Sequence, residues 1–215
     1  MTNPEHSNDF QQRLNESAHL LHQNRPAEAA QILEPLYEQA PSHPDVAINL
    51  GGAYILQRKW NKAVKVLGKA AVANPTNAML WTNLGAAELG NMQTAGPRQQ
   101  ERAIRAYERA IQADPLAPNV HYHLGLIYKE RGEFMRASAF FQRALEVTPG
   151  DQDARYWLDK LGQLIVQEQQ ERRQAAAGDP DATAHDAGNT AADSGAEDRS
   201  DSDSNAHGES GGVTQ

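Results

Sequence analysis

The sequence predicts an all-α chain, a solenoid of stacked helical hairpins, and three observations carry the prediction. Glycines recur at Gly51, Gly85 and Gly125, separated by 34 and then 40 residues. Prolines recur on the same steps at Pro41, Pro75, Pro115 and Pro149. Each glycine sits in a similar company of large and small residues, clearest in Leu124, Gly125, Tyr128, Gly132, Ala137, Phe141 and Ala144. A period of 34 accommodates two helices of about a dozen residues each and two short turns. One such hairpin cannot bury its apolar face alone, so the copies must stack.

Taken in order, residues 1–9 are polar and read as a disordered end. Helical spacing begins near Phe10, with Leu14, Ala18 and Leu21 on one face. Asn24-Arg25-Pro26 breaks it, and Pro26 is suited to open the next helix, which carries Ala29, Leu33 and Leu36. This first unit, 10–43, is the poorest copy. Glu16 and Ser17 stand where later copies carry Leu-Gly, which leaves its register open by one residue. A terminal unit has solvent on one side, so such degeneracy is expected.

The second unit, 44–77, starts after Ser42-His43, with Pro44 in the first helical turn. Leu50, Gly51 and Tyr54 mark its first helix, and Ala63, Leu67, Ala70 and Pro75 mark its second. The third, 78–117, runs through Trp81, Leu84, Gly85, Ala103, Tyr107, Ala110 and Pro115. Its six extra residues fall between the helices around 91–98, where Gly96-Pro97 ends a loop. The fourth unit is 118–151. Residues 152–176 form a capping helix, apolar on one stripe (Leu158, Leu161, Leu164, Ile165) and polar beyond Val166. Residues 177–215 are rich in Ala, Gly, Asp and Ser, and Val213 is the only large aliphatic after Val166. They read as a disordered acidic tail, too poor in apolar surface to offset its ordering entropy.

The small residues explain the spacing. Gly51, Gly85 and Gly125 are expected to face Ala63, Ala103 and Ala137, so that helix axes approach toward about 8 Å. Leu67, Tyr107 and Phe141 fill the space around each crossing, with Tyr54 and Tyr128. The prolines fix where each unit stops.

This pattern, including Trp81-Leu84-Gly85 as Trp-x-x-Leu-Gly, resembles the tetratricopeptide repeat over roughly residues 10–165. It departs in the weak first unit, in the inserted loop, and at Asp159, where a fifth unit would need Gly. The resemblance implies a right-handed superhelix whose first helices line a concave groove and whose second helices lie on the convex side. Such domains usually bind peptide segments of other proteins.

Composition narrows the function. The 215 residues include no Cys, which excludes disulfides and thiolate sites. Of the net charge of -8, residues 178–215 account for all, with nine acids against Arg199, and the preceding chain balances 19 acids with 19 bases. A neutral body argues against general nucleic-acid binding. The N-terminus is wrong for a signal peptide and no apolar run reaches a membrane span, so a soluble, cytoplasmic protein is expected. No phosphate loop, nucleophile elbow or metal spacing occurs. His121 and His123 are two apart and diverge on a helix, and His19 and His22 lack further ligands. The expectation is a non-catalytic chain with no cofactor or metal.

Groove candidates follow from position. Asn15, Asn49 and Asn83 recur every 34 residues, and His123 holds the equivalent place in the fourth unit. A carboxamide offers both donors and an acceptor, so it can pair with an extended backbone. In some tetratricopeptide repeat proteins asparagines here form a ladder along the groove. The competing reading is that they hold a neighbouring unit's backbone or simply fit their place. Further candidates are Ile48, Gly52, Met79, Thr82, Ala86, Asn119, Tyr122 and Leu126, with Ile55 and Leu89; of these, Ile55, Leu89 and Met79 also suit core or inter-unit packing. The set is apolar, small or amide. It lacks the Lys/Arg cluster with which chaperone-binding relatives clamp a chain end, so a neutral, partly apolar extended ligand is expected.

A second surface is basic. Lys62, Lys65 and Lys69 follow Arg58 and Lys59 without an acid, and Arg98, Arg102, Arg105 and Arg109 recur on the next second helix beside Glu101 and Glu108. This is either a solvated face with pairs such as Glu101–Arg105 or a docking patch for an anionic partner, this chain's own acidic tail being one candidate. Three functions compete: a peptide-binding adaptor, a module that self-associates or docks through an end or convex face, and an accessory subunit of an enzyme or a secretion or assembly complex.

Overall fold

The computed structural model describes residues 4–177, and all but the first residue of the acidic tail lies outside them. Among these residues the regular structure is helix alone: α1 (Pro4–His22), α2 (Pro26–Gln39), α3 (Pro44–Leu56), α4 (Trp60–Ala73), α5 (Ala78–Leu89), α6 (Pro97–Ala113), α7 (Val120–Glu130), α8 (Phe134–Val147) and α9 (Gln152–Ala177). α1 starts at Pro4, six residues before the expected Phe10, so the stretch read as a disordered end is largely helical. The polar run carries no apolar stripe to betray the helix, which it extends from the packed part outward. The repeat body reaches Gln169, and residues 170–177 belong to a second unit.

Consecutive helices from α1 to α7, and α7 with α8, pack as antiparallel neighbours. The first helices also touch along the array, α1 with α3 and α3 with α5, whereas second helices make no comparable contact with one another. Three apolar clusters form the interior. One joins the first two hairpins to Leu80 and Leu84 of α5. A second joins α6 and α7 around Tyr107 and Leu124. A third joins α8 and α9 through Phe141, Ala154 and Leu161.

The glycine contacts correct the expected pairing. The nearest atoms to a Cβ built on Gly51, Gly85 or Gly125 are not of Ala63, Ala103 or Ala137 but of Leu67 (2.5 Å), Tyr107 (2.7 Å) and Phe141 (2.8 Å). Each glycine is a seat for a large side chain of its partner helix. The three alanines are fully buried nearby. The first unit keeps the same register: Ser17, at the glycine position, is fully buried, and its hydroxyl donates to Leu14 O at 2.7 Å.

Turns repeat as faithfully as helices. Backbone N–H groups of His43, Asn77, Ala117 and Asp151 each donate to the carbonyl three residues back, at 3.0–3.1 Å. Within hairpins, Asn24, Arg58 and Gly132 take left-handed φ of 57°, 56° and 73°. The next N–H then reaches five residues back, as in Lys59 to Tyr54 O at 2.8 Å, which closes the helix end.

Candidate functional site

Asn49 on α3 and Asn83 on α5 are half-buried, and neither carboxamide makes a hydrogen bond among the described residues. Neither therefore holds a neighbouring unit's backbone there. They stand on first helices that pack against each other. Asn15 on α1 is exposed, and its Oδ1 accepts from Gln11 Nε2 at 3.0 Å. His123, at the fourth equivalent place, differs in kind. Its Nδ1 lies 2.7 Å from Asn119 O, so Nδ1 donates. Its ring stacks on Tyr107 at 5.5 Å and meets Tyr122 edge-on at 5.9 Å. Burial pushes the imidazole pKa down, opposed in part by that backbone hydrogen bond.

The remaining candidates divide by environment. Gly52 and Ala86 are half-buried, and a Cβ on Gly52 would meet nothing within 4 Å. Met79 is 56% exposed, a thioether offered to solvent on α5. Thr82 donates to Ala78 O at 2.9 Å. Ile48 and Ile55 pack against the first apolar cluster, and Tyr122 and Leu126 against the third. Leu89 is buried in the second cluster. Asn119 is exposed at the entrance of α7 with a left-handed φ of 64°, and its carbonyl also accepts from His123 N at 3.0 Å.

On the second helices, Lys62 lies 4.0 Å from Glu34 and 5.3 Å from the centre of the Tyr54 ring. Tyr54 donates to Glu34 at 2.6 Å, and burial with that carboxylate raises its pKa far above the ordinary phenol value. Arg102 bonds Glu88 of α5 at 2.5 Å, Arg105 pairs with Glu101 at 3.4 Å, and Arg109 reaches Gln112 at 3.4 Å. Lys65, Lys69 and Arg98 are exposed and make no ion pair among the described residues. α5 and α6 enclose a cleft of about 590 Å³, and α2, α3 and α4 enclose one of about 300 Å³.

One repeated device lay outside the sequence reading. Six residues after each of three boundary prolines, a different donor bonds the proline carbonyl: Trp81 Nε1 to Pro75 O at 2.9 Å, His121 Nε2 to Pro115 O at 3.2 Å, and Arg155 to Pro149 O at 2.9 Å. The residue type varies while the geometry persists, so only a comparison of aligned positions for donor capacity would reveal it. The bond fixes His121 as the Nε2–H tautomer, and its buried Nδ1 is left without a partner.

Among the described residues no group of three or more His, Cys, Asp or Glu is placed to hold a metal ion. None of their helices is long and apolar enough to cross a membrane.

Comparison with known proteins agrees with the repeat geometry. Residues 20–86 and 118–151 match the tetratricopeptide repeat pattern, and residues 99–132 match a TPR repeat, together more than half of the chain. Anaphase-promoting complex subunit 3 of Schizosaccharomyces pombe is 25% identical over 135 residues, which is 63% of this chain and 19% of that protein. The peroxisomal targeting signal receptor of Candida albicans is 30% identical over 103 residues, 45% of this chain and 16% of the receptor. The chain thus spans less than a fifth of the length of these relatives. In fold it is similar to a thermophilic TPR protein of Thermus thermophilus, with a TM-score of 0.62 at 20% identity over 73% of this chain and 82% of the other. It is also similar to MamA of Desulfovibrio magneticus RS-1, with a TM-score of 0.56 at 21% identity over 67% and 78%. With repeat spacing, helix pairing and sequence pattern in accord, the chain belongs to the tetratricopeptide repeat family.

Proposed function

We propose that the chain is a non-catalytic adaptor that holds an extended, largely neutral peptide segment of a partner protein along its first helices. The observation that carries this reading is the pair Asn49 and Asn83, half-buried carboxamides without an internal partner on adjacent first helices. Each carboxamide keeps its acceptor and donors unused within the described residues, and an extended backbone supplies a partner for both. The open space at Gly52 lets a strand approach, and Met79 offers an adaptable apolar contact. The names of the relatives, a signal receptor and a subunit of a complex, suit a chain that holds other proteins.

The test is selection of binding peptides from a random library with the full chain, followed by calorimetry with the selected peptides. Asn49→Ala with Asn83→Ala removes up to four hydrogen bonds of about 1 kcal/mol each, so affinity is expected to fall at least about tenfold. Helicity and melting should match the parent. Equal affinity in the double variant would refute the reading.

A further inference from the structure

Cations recur at equivalent places on successive second helices. Lys62, Arg102 and Arg136 occupy one position, at steps of 40 and 34 residues. Lys69, Arg109 and Arg143 occupy another, and Lys65 and Arg105 share a third, where Ala139 breaks the series. The first hairpin has Glu28, Gln31 and Pro35 at these places, so the series begins with α4.

The structure gives this series a shape. Arg102, Arg105 and Arg109 line the cleft of about 590 Å³, with Trp81, Leu84 and Ala106 as its apolar lining. The smaller cleft is its counterpart one unit earlier, with Lys62 and Lys65 beside Leu50, Tyr54 and Val66. In the fourth hairpin the place of Val66 and Ala106 is taken by Phe140, which stacks on Tyr128 at 5.2 Å with planes 3° apart. The α6 cleft is thus roomier than its counterpart one unit earlier.

We propose that the α6 cleft docks an acidic peptide segment of a partner protein that carries one large apolar side chain, at a site separate from the first-helix groove. The apolar lining receives the anchor. Arg109 has no ion pair among the described residues, and Arg105 holds only the exposed Glu101 at 3.4 Å. Both guanidinia can take new carboxylates. Residues four apart on a helix lie about 5–6 Å from each other. Alternate residues of an extended peptide repeat at about 6.6 Å, so carboxylates on one of its faces match that spacing. A nucleic acid fits less well, since the chain before residue 178 balances 19 acids with 19 bases and offers no continuous excess of positive charge to a phosphate chain.

The probe is a synthetic peptide of alternating Glu and Ser with one central Phe, fluorescently labelled and titrated with the full chain. Arg105→Gln with Arg109→Gln should weaken binding about tenfold, the product of two partly exposed ion pairs. Added salt should weaken it further, and replacing the Phe of the probe by Ser should weaken it independently of salt. Asn49→Ala with Asn83→Ala should leave it unchanged, which separates this site from the groove. Both arginines are exposed, and circular dichroism checks that the variant melts with the parent. The proposal is overturned if the full chain does not bind the probe, if the arginine variant binds it as tightly, or if a single-stranded oligonucleotide displaces it more strongly than unlabelled acidic peptide does.

Discussion

Two adjacent glycines on α3 should respond to the same substitution with opposite sign. A Cβ on Gly51 would stand 2.5, 2.6 and 2.7 Å from Leu67 Cγ, Cδ2 and Cδ1. Carbon atoms pack comfortably at about 3.5–4.0 Å, so the whole isobutyl group must retreat by about 1 Å. Leu67 is 0% exposed and has no free side to retreat into. Overpacking of this kind costs about 1–3 kcal/mol. Alanine returns about 1 kcal/mol of helix propensity over glycine. Gly51→Ala is therefore expected to lose up to about 2 kcal/mol. At Gly52 nothing lies within 4 Å of the same atom, so Gly52→Ala keeps the propensity gain of up to about 1 kcal/mol.

Thermal and urea unfolding followed by helical circular dichroism reads both variants. For a chain of this size each kcal/mol moves the midpoint by about 2–4 °C, so the two should straddle the parent by several degrees. Gly51→Ala combined with Leu67→Val should cost less than the two changes summed, because the shorter side chain makes the room. A Gly51→Ala protein melting at or above the parent would refute the seat described for Leu67. A Gly52→Ala protein melting below it would refute the open space on the neighbouring face.

Two further outcomes follow from buried polar groups. Tyr107 is fully buried with its hydroxyl unpartnered, and burial raises its pKa far above the ordinary phenol value. Tyr107→Phe removes a desolvated group worth about 1–3 kcal/mol, so the variant should melt at or above the parent, and a clear fall would reveal a bond to that hydroxyl. The depressed pKa of His123 means that the unfolded chain binds a proton more readily than the folded one. Stability from this group is complete above the ordinary imidazole pKa of about 6.5 and is lost as pH falls from there through the lower folded value. His123→Gln should flatten that part of the stability–pH curve, and an unchanged slope would assign it to another group.

Much of the fold was legible because its punctuation is covalent. Pro26, Pro44 and Pro97 open helices where the sequence placed them, since a proline nitrogen is harmless only in a first turn. The glycines were read at the right positions but with the wrong partners. Periodicity tells which residues share a face, whereas the lean of a side chain along its helix decides which one it covers. Of the groove candidates, Leu89 proved to be core, because an apolar residue on a two-sided helix carries no mark of which side is wet. Links such as Tyr54 to Glu34 and Arg102 to Glu88 cross 20 and 14 residues between helices, beyond any local pattern. The missing internal partners of Asn49 and Asn83 became visible only with their surroundings.

The division of the interior into three clusters makes this molecule a relay with no hub. Each hairpin answers only to the ones beside it, so amide exchange should proceed from the ends inward and local opening at α9 need not be felt at α3. A peptide lying across several first helices would supply the long-range tie that the polypeptide lacks. Its signature would then be a sharper melting transition as well as a later one, with distant hairpins made to open together.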